Sequence, residues 1–125
     1  MPTDAILGFR DAMIETRDMG FEAAKAAQWA LGRAVRAMLA EKGVPSVAAE
    51  GFQAPGVVVS YTGDPEVQTG AKFRAEGLQI AAGVPLQVGE GPEFRTFRLG
   101  LFGLDKLKDV DATVARLKRA VDAVL

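Results

Sequence analysis

Apolar positions recur at helical spacing through the first 42 residues, with one interruption. Ile6, Phe9, Met13 and Ile14 line up on one side of a first helix, and Thr3 and Asp4 ahead of it offer capping oxygens. The stretch "DMG" breaks that pattern at Gly20. The spacing predicts a second helix from about Phe21 to Lys42, with Ala24, Gln28, Leu31, Val35, Met38 and Leu39 as its stripe. Its many alanines allow close backbone packing. Gly43 supplies the stop, and Pro45 lies just beyond it.

After Gly43 the period changes. "VPSVAAEG" has room for a short strand, and "GFQAPG" is a turn-rich link. "VVVSYT" is β-branched and continuous, the strongest strand signal in the chain. Asp64 as cap, Pro65 at the first helical position and Gly77 as stop predict a short helix from Pro65 to Glu76. "LQIAA" reads as a strand, and the Gly- and Pro-rich segment from Gly83 to Pro92 as a loop. "EFRTFRLGLFGLDKL", residues 93 to 107, alternates as a strand. Phe97, Leu99 and Leu101 take the core face, and Thr96, Arg98, Gly100 and Phe102 the other. "DVDATVARLKRAVDAVL" closes the chain as an amphipathic helix with Val110, Val114, Leu117, Val121 and Val124 inward.

The order helix, helix, strand, helix, strand, strand, helix predicts an α/β two-layer domain of the α+β kind. A small, mainly antiparallel sheet is covered by helices on one face, and a long helical connection precedes it. The expected division is residues 1–43 for that connection and 44–125 for the small domain. The first helix precedes everything able to bury it, so an interface role is expected.

Composition then narrows the chemistry. A chain of 125 residues with 49% apolar and 25% charged residues suits one globular domain. A net charge of −1 argues against nucleic acid or an anionic membrane as main partner. With no long apolar run and no basic-then-apolar start, a cytoplasmic chain is expected. There is no Cys and no His, which removes thiolate nucleophiles, the usual general base and the commonest metal ligands. No metal site is expected. Ser46, Ser60 and the single Tyr61 leave few nucleophiles, a poor set for a self-contained enzyme.

Arg98 is the leading candidate. It stands mid-strand between Thr96 and Gly100, small neighbours that leave room around a guanidinium. One reading is a solvated charge on the wet face of an antiparallel sheet. The other is a fork that grips a carboxylate or phosphate with two parallel hydrogen bonds. Arg95 falls in the opposite register at the start of the strand and reads as a rim charge. The "TGDPE" turn offers helix amides, but Asp64 and Glu66 already serve that end. The loop from Gly83 to Pro92 has no phosphate-loop spacing and reads as turns, or as a rim over Arg98. Lys25, Lys42, Lys72, Lys106, Lys108 and Lys118 all have polar or charged neighbours and read as solvated charges, not as Schiff-base lysines.

The segment from Gly77 to Leu125, with "FRLG" at Phe97 to Gly100 followed by a turn and a last amphipathic helix, resembles the C-terminal end of class V pyridoxal-phosphate-dependent aminotransferases of the alanine–glyoxylate and serine–pyruvate type. Residues 2–43 look like that family's helical link between large and small domains. The resemblance implies transfer of an amino group between a small amino acid and a 2-oxo acid such as glyoxylate or pyruvate, in a homo-oligomer. It implies that Arg98 binds the substrate carboxylate. The family's large domain, with its Schiff-base lysine and the aspartate facing the pyridine nitrogen, has no counterpart here. The expectation is therefore no catalytic residue, no pyridoxal 5'-phosphate held covalently and no transamination by this chain alone. Two other readings stay open: a non-catalytic small-carboxylate-binding module, and a dimerisation module built on the helix from Phe21 to Lys42.

Overall fold

A computed structural model describes residues 2–125 and shows an α+β fold: a three-stranded antiparallel sheet with helices on one face. Helix α1 spans Thr3–Met19 and α2 spans Phe21–Glu41. The chain turns between them at Gly20, whose φ of 94° favours glycine. Pro2 occupies the cap position of α1 and no side chain caps that end, so Thr3 and Asp4 belong to the first turn instead. Helix α2 stops where expected. Gly43 takes a φ of 72°, and the Val44 amide donates back to the Leu39 carbonyl at 3.0 Å.

Strand β1 is Val57–Tyr61, β2 is Ala81–Ala82 and β3 is Thr96–Gly100. β3 lies in the middle, antiparallel to both neighbours. "VPSVAAEG" contributes a single bridge, Ser46 to Ser60, along the outer edge of β1. "LQIAA" pairs only at its last two residues.

The helix expected over 65–76 is two short helices, α3 (Pro65–Gln68) and α4 (Ala71–Ala75), parted at Gly70 in the left-handed region. Val67 and Phe73 are both buried. Six residues apart, they would point about 120° apart on an unbroken helix. The break at Gly70 turns both into the core. Asp64 caps α3 by accepting the Glu66 amide at 2.8 Å, and Gly77 ends α4.

The strand expected through residue 107 ends at Gly100. Gly103, at φ 108°, redirects the chain into helix α5 (Leu104–Leu107). Helix α6 (Val110–Val124) starts at Asp109, whose carboxylate accepts the Ala112 amide at 3.0 Å.

One core joins these elements. Leu31, Val35 and Leu39 of α2, Val58 of β1, Phe97 and Leu99 of β3, and Leu117 and Val121 of α6 are all buried. Helix α2 thus shares a core with residues 44–125. Gly32 explains how it comes so near the β1 lead-in: a Cβ there would sit 2.8 Å from the Pro55 carbonyl oxygen. Gln28 adds hydrogen bonds to the carbonyls of Pro55 (3.0 Å) and Leu101 (3.2 Å). Helix α1 differs. It buries no residue, and Ile6, Phe9 and Met13 are exposed. Among the described residues, no helix is long and apolar enough to cross a membrane.

Candidate functional site

The sheet has one covered face and one open face. Alternation puts Val58, Phe97 and Leu99 under the helices. Register puts Val57, Val59 and Tyr61 of β1 beside Gly100, Arg98 and Thr96 of β3 on the other face. That open face is largely apolar. Val57 and Val59 are half-buried, Tyr61 meets Phe94 edge-on at 5.7 Å, and the exposed Phe102 ring lies over Gly56 and Gly100.

Arg98 stands at the centre of this face. Its cross-strand neighbours are Val59 on one side and Ala81 on the other. Its Nε donates to the Ala82 carbonyl at 2.8 Å. That bond fixes the plane of the guanidinium. Among the described residues, neither terminal nitrogen of Arg98 has a hydrogen-bond acceptor and no acid pairs with it. The end-on fork, the edge that suits a carboxylate, is left open on a half-exposed side chain. The positioning of Ala82 depends on Gly83: a Cβ at 83 would lie 1.8 Å from the Thr96 carbonyl oxygen, so only glycine lets the chain leave β2 so close to β3.

Arg95 is not a rim charge. Its Nε donates to Gln68 Oε1 at 3.1 Å and its Nη1 to the Gly63 carbonyl at 3.0 Å, so it clasps α3 and the turn before it onto the start of β3. The loop from Gly83 to Pro92 closes on itself. The Glu90 carboxylate accepts the amides of Leu86 (2.6 Å), Gln87 (2.7 Å) and Val88 (2.8 Å). These amide donors hold its pKa down at about 2. The loop lines a cavity together with Phe94 and Thr96, four and two positions before Arg98.

Five of the six lysines have partners of their own. Lys72 pairs with Asp64, Lys108 with Glu15, Lys42 and Lys118 with Asp122, and Lys106 donates to the Phe102 carbonyl at 2.7 Å. The bond to Asp64 raises the pKa of Lys72, and the same bond lowers that of Asp64. A Schiff-base lysine needs the opposite direction, a lowered pKa in a desolvated site. Lys72, raised by its carboxylate partner, does not meet that need.

Sequence reasoning missed Arg36. Its Nη1 donates to Ser46 Oγ at 3.1 Å, and its Nη2 to the carbonyls of Ala54 (3.0 Å) and Val57 (3.1 Å). Burial lowers its pKa. Its partners come from a segment with no periodic pattern, so only its place one residue from Val35 on the buried stripe hinted at a role.

Neither a scan against protein-family models nor a search of curated proteins finds a match for this chain.

Proposed function

We propose that this chain is the small domain of a pyridoxal-phosphate-dependent transaminase of the class V type, and that Arg98 clamps the carboxylate of a small amino acid or 2-oxo acid. The observation that carries the reading is the open end of the Arg98 guanidinium, anchored at Nε by Ala82 and facing away from the core. A planar fork held in this way orients a carboxylate as well as attracting it, and positioning is a large part of such catalysis. The cofactor, when bound, serves as the electron sink. In this reading it belongs to a partner domain that carries the Schiff-base lysine. A largely apolar face around one cation suits closure against such a domain. The proposal includes a cytoplasmic location, carried over from the sequence.

The test is the coding frame upstream of the Met1 codon. An open frame encoding a βαβ-rich domain with a strand-loop lysine and an aspartate for the pyridine nitrogen supports the reading. A stop codon and a ribosome-binding site at that place would contradict it.

A second reading is self-association through α1, which the exposed row Ile6, Phe9 and Met13 favours. Light scattering on the chain with and without residues 1–20 tests it. A drop in mass on deletion supports the reading, and an unchanged mass refutes it.

A further inference from the structure

We propose that the cavity between the C-terminal half of α2 and the segment from Gly43 to Ser60 is a binding site for a small aliphatic monocarboxylate, separate from Arg98. The cavity measures about 520 Å³, within the range of small-molecule sites. One wall is apolar, formed by Leu39, Val44 and Val58. The other end gathers donors: Arg36, Ser46, Gln53 and Ser60. No Asp or Glu lines it.

The polar end is rich in donors and holds no negative charge. Arg36 is a half-buried cation whose partners are all neutral: one hydroxyl and two carbonyls. Its Nε has no acceptor among the described residues. An uncompensated cation withdrawn from water favours an anion beside it. Ser60 is 1% exposed and lines the cavity. Gln53 uses its Oε1 to accept the Gly51 amide at 3.3 Å, which leaves its amide nitrogen as a donor. Ser46 and Ser60 are bridge partners, so their hydroxyls share one side of the sheet edge. A cation with only neutral partners favours an anion, and the aliphatic wall favours an apolar tail.

This site does not rest on the transaminase reading. The test is a titration of the ¹⁵N-labelled full chain with isovalerate, with its neutral amide as control. The expected result is saturable shifts at Val44, Ser46 and Ser60, with a Kd on the order of 1 mM, and none with the amide. Ala40→Leu, on the exposed side of α2 at the cavity wall, fills the tail space while keeping the Arg36 charge and every group it bonds to. It should weaken binding by about tenfold or more, as should Arg36→Gln, while Arg98→Ala leaves it unchanged. Because Arg36→Gln also removes bonds within the fold, Ala40→Leu decides. Shifts that survive Ala40→Leu, equal response to the amide, loss on Arg98→Ala, or no saturable shift would each overturn the proposal.

Discussion

The two faces of β3 are built from alternate residues of one five-residue strand, yet they do different work. Phe97 and Leu99 are at most 3% exposed beneath the helices, and Phe73 packs on Phe97 with ring centroids 5.7 Å apart. Arg98, between them in sequence, looks out of the opposite face with one nitrogen tied to backbone and two open. The inward residues hold the strand in place through buried area. The outward one is placed by that rigidity and contributes little to it. A fixed scaffold under an accessible cation is what precise recognition of a planar anion requires.

Substitutions should separate the faces. Phe97→Ala removes a fully buried ring and should cost about 3–5 kcal/mol in denaturant unfolding. A cost below 1 kcal/mol would break the view of this face as the structural one. Gly32→Ala puts a Cβ against the Pro55 carbonyl and should cost about 1–3 kcal/mol, read in the same way. On the open side, Glu90 sharpens the contrast through pH. Its pKa is lowered from 4.5 to about 2, so its hold on the loop is fully present above pH 4.5 and fades as pH falls through about 2. The amide resonances of Leu86 to Val88 should follow that titration while core resonances do not. The smallest effect on stability is expected for Arg98→Ala, within about 0.5 kcal/mol, because it removes one exposed hydrogen bond.

Much of this architecture is legible in the sequence, for reasons that local chemistry explains. The stops at Gly43 and Gly77 and the cap at Asp64 follow from backbone rules that act over a few residues. The stripes of α2 and α6 mark buried faces because one core covers both. The same kind of stripe on α1 is uncovered, since a periodic pattern records an apolar face but not its partner. Gly70 and Gly103 were visible signals of a split helix and an early strand end. The regular spacing of Val67 and Phe73, and the alternation running from Phe97 to Leu101, masked them. Arg98 stood out because its neighbours are small. Its anchor on Ala82 and the clasps made by Arg36 and Arg95 depend on residues 10 to 32 positions away, and no local pattern encodes those.

The central claim is that the open fork of Arg98 binds a small carboxylate. The most direct measurement is the side-chain ¹⁵N signal of Arg98 during titration with alanine, pyruvate and glyoxylate. The account predicts a saturable shift at Arg98 Nε–H, and shifts at the neighbouring Ala82 and Gly100 amides that are reduced in Arg98→Lys and absent in Arg98→Ala. An Arg98 signal that stays fixed while all three ligands are raised to saturating concentrations would contradict it.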